Sequence, residues 1–248
     1  MKIGILGVGN IGTTLANRLA SVGHHVKVAN SRGPETLPPR ALSTGATGVT
    51  ASEVVVDVQV LVTSVPFARV PEIRTLIELL PDDAVVIDTS NYYPHRDGNI
   101  DAVDRGQVES LWVSEQFGRR VTKAWNAIFT GSFDSKAVPP GDPARVAIPV
   151  AGDNDAHRAV AMSLVNETGF DAFDAGLLEN SWRQQPGTPA FCTDHTKDQI
   201  SDVLAAADIS RSIRRRDLMV EVNREILRDP TPVRPADYMV QLHRVFNT

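Results

Sequence analysis

Apolar positions follow two rhythms in the first 150 residues. Short, near-continuous apolar runs at Lys2–Leu6, Val26–Ala29, Val58–Val65 and Ala84–Asp88 are each closed by polar or turn-forming residues. Runs of this length predict strands of a parallel sheet covered on both faces. Between the first two runs, Ile11, Leu15, Leu19 and Val22 recur at helical spacing, and Gly23 supplies a stop. This is the pattern of a βαβ unit. The periodicity predicts a second helix around Val70–Leu80 and further strands around Val121–Trp125 and Val146–Val150, where Pro149 marks an edge or a strand end. The expected sheet has six or seven strands.

After Gly152 the rhythm becomes helical. Ala156, Val160 and Leu164 share one stripe closed by Gly169, and two more helical stretches follow at Thr196–Asp208 and Ser210–Arg228. The Gly- and Pro-containing segment Ser181–Thr193 stands between them as a candidate site-building loop, whereas Lys136–Ala144 reads as a surface loop. The expected fold class is therefore α/β: a Rossmann-type, doubly wound, mostly parallel sheet over residues 1–152. A smaller helical C-terminal region for substrate or dimerisation occupies residues 153–248.

Charge and cysteine content narrow the partners. Thirty acidic residues against 25 basic ones give a net charge of −5, which disfavours nucleic acid and anionic membrane as ligands. Cys192 is the only cysteine, so no internal disulfide can form and a reducing compartment is expected. Neither a signal-peptide pattern at Met1–Gly7 nor an apolar stretch of membrane-spanning length is seen, so a cytoplasmic location is expected.

The most informative motif is Gly7-Val8-Gly9-Asn10-Ile11-Gly12, which follows the first strand and opens the first helix. Gly7 permits the tight turn, Gly9 lets the backbone approach a pyrophosphate, and Gly12 allows close helix–sheet packing. The helix N-terminus then offers free N–H donors to phosphate. The second strand ends Ala29-Asn30-Ser31-Arg32. Asn30 stands where NAD-specific sites place a carboxylate, Ser31 can donate to a 2′-phosphate, and Arg32 can clamp it. NADP(H) is the expected cofactor, with nearby Glu35 able to compete for Arg32. Ser64-Val65-Pro66 ends a later strand on the edge where ligands bind. Thr89-Ser90-Asn91 ends the next and reads equally well as ribose or nicotinamide contacts or as ordinary caps.

These residues resemble the F420-dependent NADP oxidoreductases. The likeness rests on Gly7–Gly12, Asn30-Ser31-Arg32, Val65-Pro66, Lys123–Ile128 and Asp174–Ser181. The resemblance implies hydride transfer between NADP(H) and the deazaflavin coenzyme F420. It implies that Asn126 and Ala127 border the nicotinamide and that Asn126 and Ile128 face the second substrate. It also implies that the segment after Ser181 leads into a dimer-forming helical region, hence a homodimer. Where the family tends to carry a histidine, this chain has Asn126.

Hydride transfer between flat rings needs alignment more than a dedicated acid, and no catalytic residue stands out. An NADPH-dependent reductase of a small carbonyl or imine compound would need a proton donor, for which Lys123, Tyr92, Tyr93 and His95 are the candidates. Tyr92-Tyr93-Pro94 reads first as a packed surface turn. A non-catalytic NADP sensor is the third reading. Trp182 reads equally as an apolar wall for a planar ligand or as a core or interface residue. Arg214-Arg215-Arg216 reads as an exposed helix face. Cys192 and His195 lack the companions that a metal site or a nucleophile pair requires, so no metal is expected.

Overall fold

The computed structural model describes residues 1–228, 235 and 237–247. Its strands are β1 (Lys2–Leu6), β2 (His25–Ala29), β3 (Thr47–Gly48), β4 (Val60–Thr63), β5 (Val85–Asp88), β6 (Thr122–Lys123), β7 (Ala147–Val150) and β8 (Asp171–Asp174). The helices of the first half are α1 (Asn10–Ser21), α2 (Pro39–Leu42), α3 (Arg74–Ile77), α4 (Pro94–Asp97), α5 (Asp101–Asp104), α6 (Glu109–Phe117) and α7 (Thr130–Ser135). They are followed by α8 (Asp155–Glu167), α9 (Lys197–Ala205), α10 (Ile209–Arg228) and α11 (Tyr238–Asn247).

Six strands form one parallel sheet in the order β3-β2-β1-β4-β5-β6, the Rossmann order. Ile3 is flanked by Val26 on one side and Val60 on the other. Because successive side chains point to opposite faces, Ile3, Ile5, Val60, Val62, Val85 and Ile87 join the core under α1 and α8. Leu61 and Val86 join the core on the other face, with Phe67 and Trp112. Chain direction reverses its spread at β1 and β4, so a crevice opens beyond Leu6 and Thr63, where open α/β sheets bind ligands.

Two expectations are corrected. The Val146–Val150 strand exists, but it pairs with β8 in a separate two-stranded parallel sheet. β6 is only two residues long, because the chain turns sharply at Trp125 (φ 56°), and β7 reaches it through a single Lys123–Ala151 bridge. The Val70–Leu80 helix is a 3-10 turn over Phe67–Ile73 followed by the one-turn α3. Pro71 lacks an N–H and interrupts the α-helical ladder there.

The C-terminal helices lie against their own chain. Arg244 on α11 donates to the Thr193 carbonyl at 2.7 Å, Asn247 Nδ2 to the Phe191 carbonyl at 3.1 Å, and Arg215 on α10 to the Asn247 carbonyl at 2.8 Å. These bonds tie α10 and α11 to the loop preceding α9. No helix among the described residues is long and apolar enough to cross a membrane.

Candidate active site

The glycine loop is shaped by what cannot fit there. Gly7 has φ 106°, in the region that disfavours side chains, and a Cβ on it would sit 2.2 Å from the Ser64 carbonyl. A Cβ on Gly12 would lie 1.9 Å from the Gly7 carbonyl. Gly9 differs, since a Cβ there would meet nothing within 4 Å. The space over Gly9 is therefore open, and it lies at the N-terminus of α1, which has no side-chain cap and no acidic residue in its first turn. Free N–H groups, a positive dipole end and empty volume together fit a pyrophosphate.

This loop forms one wall of an 860 Å³ groove that also takes in Asn30, Ser31, Arg32, Ser64, Val65 and Pro66. Asn30 Oδ1 accepts the Arg32 backbone N–H at 2.9 Å, and its Nδ2 donates to Thr36 Oγ1 at 2.9 Å, which fixes the turn after β2. Among the described residues no carboxylate forms an ion pair with Arg32. Glu35 instead lies over Gly33. The guanidinium is thus left to a phosphate, and NADP(H) fits the residues present. Gly12 supports the groove from behind without lining it.

Thr89, Ser90 and Asn91, just past β5, line the far end of the groove. They are held from below by a fully buried ion pair: Lys123 Nζ lies 2.6 Å from Asp88 Oδ2 and also donates to the Ser90 carbonyl. Ser90 Oγ donates to Asp88 Oδ2 at 3.0 Å. Lys123 is 0% exposed and lines neither cavity, so it braces the β5–β6 edge. Nearby, Glu109 on α6 accepts the Tyr92 N–H at 3.1 Å. Burial pushes its carboxyl up to about 7.

Beyond this end lies a second chamber of 430 Å³. Its walls include Trp125, Ile128, Phe129 and Phe191, and its far side is closed by Met219 of α10 and Met239 of α11. Arg96, Arg216 and Arg224 also line it, each ion-paired with a neighbouring carboxylate (Asp97, Asp217 and Glu221), and among the described residues no carboxylate is itself part of the lining. Two wall residues outside glycine, Trp125 and Cys192, hold positive φ (56° and 58°), a strain that clusters at functional sites. Burial raises the Cys192 thiol above its ordinary value.

The sequence expectations meet this geometry unevenly. Asn126 lines the chamber, but its amide is engaged: Nδ2 donates to Asn91 Oδ1 at 3.1 Å and to the Gln184 carbonyl at 2.8 Å, while Oδ1 accepts from Gln184 Nε2 at 2.8 Å. Ala127 is buried behind the wall against Phe191 and Cys192. Trp182 lies outside both cavities, with the Arg183 guanidinium 4.5 Å from its ring centre. The 181–193 loop does build the chamber, through Pro186, Gly187, Phe191 and Cys192. Arg215 and Arg216 are each 8% exposed, so the expected exposed arginine face of α10 holds only for Arg214. The position 216 side chain sits 5.3 Å from the Tyr92 ring centre. Glu109 and Arg216 carry no local motif and were not foreseen.

Residues 2–92 match the coenzyme F420-dependent NADP oxidoreductases. A 61-residue stretch is 49% identical to the Escherichia coli K12 protein YjhV, covering 25% of this chain and 44% of that protein's length. The SMa0349 protein of Sinorhizobium meliloti superposes with a TM-score of 0.67 at 25% identity, over 80% of this chain and 96% of that one. A candidate F420-dependent NADP reductase from Arthrobacter sp. FB24 superposes with a TM-score of 0.58 at 21% identity, over 73% and 87%. The last likeness is one of fold. The match over residues 2–92 and the shape of the groove both point to dinucleotide binding in the first half of the chain.

Proposed function

We propose that this chain transfers a hydride between NADP(H), held along the groove, and an acceptor held in the second chamber, with a deazaflavin coenzyme as the acceptor. One observation carries the reading. The groove and the chamber share six residues, Ile11, Thr89, Asn91, Tyr93, Arg96 and Thr130, so the two cavities meet at the nicotinamide end. Gly7, Gly9, Asn10 and Ile11 would hold the pyrophosphate and the adjoining ribose. Ser31 and Arg32 would take the 2′-phosphate, and Ser64-Val65-Pro66 would line the path between.

When bound, the nicotinamide supplies the hydride. The protein's own contribution is alignment and exclusion of water, which in favourable cases lower a barrier by roughly 7–11 kcal/mol. The aromatic walls suit a flat ring. A small carbonyl or imine acceptor is favoured instead by the saturation of Asn126, which leaves no free amide to meet a deazaflavin ring.

Anaerobic NADPH oxidation with and without oxidised deazaflavin coenzyme, with NADH as control, tests the reading. Deazaflavin-dependent oxidation selective for NADPH is expected. NADPH binding without deazaflavin turnover, but with reduction of aldehydes, ketones or imines, would transfer the assignment to the second reading.

A further inference from the structure

Tyr92 and Tyr93 are neighbours with opposite surroundings. Tyr92 is 0% exposed, and its hydroxyl is fully employed. It lies 2.9 Å from Asp104 Oδ1 and 3.0 Å from the Gly98 carbonyl, and it accepts the Ile100 N–H at 3.0 Å. It fastens the segment between β5 and α6.

Tyr93 turns the other way, into the cleft, and lines both the groove and the chamber. Its backbone N–H is anchored on Asp97 Oδ2 at 2.9 Å. Its ring packs against the Ala127, Phe191 and Cys192 cluster, with the Arg96 guanidinium 5.3 Å from the ring centre and the His95 ring edge-on at 5.7 Å. Backbone and ring are thus fixed, while the hydroxyl forms no hydrogen bond among the described residues. Tyr93 is half-buried, so its hydroxyl is open to the cavity it borders. Lining both cavities, the residue stands where a bound cofactor and a bound acceptor would meet.

We propose that the Tyr93 hydroxyl is the acid that protonates the acceptor as it takes the hydride. The proposal rests on the hydride-transfer reading above. In the step, the nicotinamide C–H bond breaks and its electron pair moves with the hydrogen to an electrophilic carbon of the acceptor. The adjoining π bond opens onto a heteroatom, the oxygen of a carbonyl or a ring nitrogen of a deazaflavin. Tyr93 Oη–H breaks and its proton goes to that heteroatom. Oxidised nicotinamide and a two-electron-reduced acceptor result, and the phenolate regains its proton from water at the chamber mouth. Burial, aided by Cys192 and Glu109, raises the hydroxyl above the ordinary tyrosine range. It therefore holds its proton at neutral pH, ready to be given as negative charge builds on the acceptor heteroatom.

The test compares Tyr93→Phe with Tyr92→Phe. Both keep the ring, so both are expected to fold. NADPH affinity is read by fluorescence titration, acceptor affinity by equilibrium binding of oxidised deazaflavin to the NADP+-loaded protein, and turnover with deazaflavin and with a set of aldehydes. For Tyr93→Phe the expectation is unchanged NADPH affinity, about tenfold weaker acceptor binding, and kcat lower by about a hundredfold or more. For Tyr92→Phe it is a lower melting temperature with turnover largely kept. Turnover of Tyr93→Phe within about threefold of the parent enzyme would overturn the acid while leaving hydride transfer standing. A parent enzyme that binds NADPH but oxidises it with none of these acceptors would remove hydride transfer, and the acid with it.

Discussion

The groove and the chamber share a border but are built by different means. The groove is built around a glycine loop, a helix N-terminus and strand ends, drawn chiefly from the first 66 residues. The chamber is lined by residues drawn mainly from five stretches, around residues 91–96, 125–130, 186–192, 216–224 and 239–243, with Ile11 and Thr89 at the border with the groove. Backbone sites serve any ligand with the same phosphate geometry, whereas side-chain sites can change their ligand without altering the fold. The difference teaches that the cofactor belongs to the fold and the acceptor belongs to this chain.

The largest effect should come from the two inner glycines, which play opposite parts. Gly12→Ala forces a methyl group to within 1.9 Å of the Gly7 carbonyl. We expect it to cost about 3 kcal/mol of stability and to abolish NADPH binding. Gly9→Ala meets no protein atom within 4 Å, so its melting temperature should match the parent's while NADPH binding fails. Thermal unfolding beside NADPH titration separates the two. Normal NADPH affinity in Gly9→Ala would show that no pyrophosphate occupies that space.

Arg32→Ala should act on one half of the comparison only. Losing a charge-assisted contact of about 1.5–3 kcal/mol would weaken NADPH binding by roughly ten- to a hundredfold. NADH affinity and acceptor affinity should hardly move. Equal losses for both dinucleotides would sink the 2′-phosphate role.

Why the groove could be read in the sequence and the chamber could not follows from this construction. Gly7, Gly9 and Gly12 are close together, and each answers a local steric demand, so their spacing carries the geometry. Asn30-Ser31-Arg32 sits one strand away at a fixed distance. The chamber residues are joined only by tertiary packing. Tyr93 precedes a proline and looks like a surface turn. Arg216 looks like part of a solvated basic run until α10 lays it over Tyr92. Glu109 has no motif at all, and only its burial gives it away. Strand positions fared better than strand partners for the same reason. Val146–Val150 has the pattern of a buried strand, but the two-residue β6 that detaches it from the main sheet has no counterpart in hydrophobic period.

The buried charges behind the border give an intermediate effect, seen in pH rather than in ligand affinity. Glu109 has a folded value of about 7 against an ordinary 4.5. The fold therefore prefers its protonated form, and that stabilisation is complete below about pH 4.5 and lost as pH rises through 7. His243 behaves in the opposite sense. Burial lowers it from 6.5 to about 4, so the stability it carries is present above 6.5 and lost as pH falls through 4. Chemical denaturation across pH should show stability declining on both sides of a mildly acidic optimum. Glu109→Gln should flatten the alkaline side alone, and an unchanged alkaline slope would show that the carboxyl titrates normally.

The smallest effect is expected at Trp182, and it sharpens the comparison by being small. An aromatic residue just past the segment Asp174–Ser181, which resembles the family, invites a place in the acceptor site. The fold gives it a different neighbour: the Arg183 guanidinium stacks over its ring, and Arg183 Nη1 donates to the Leu204 carbonyl at the end of α9. The ring thus holds an arginine that holds a helix. Trp182→Ala should remove a cation–π contact of about 0.5–1 kcal/mol and lower the melting temperature by a few degrees. Deazaflavin or aldehyde affinity should stay at the parent value, because nothing between Trp182 and the chamber moves with it. Acceptor binding weakened tenfold in a variant of near-normal stability would place the tryptophan against the acceptor after all, and would mean that the chamber extends past the loop at Pro186.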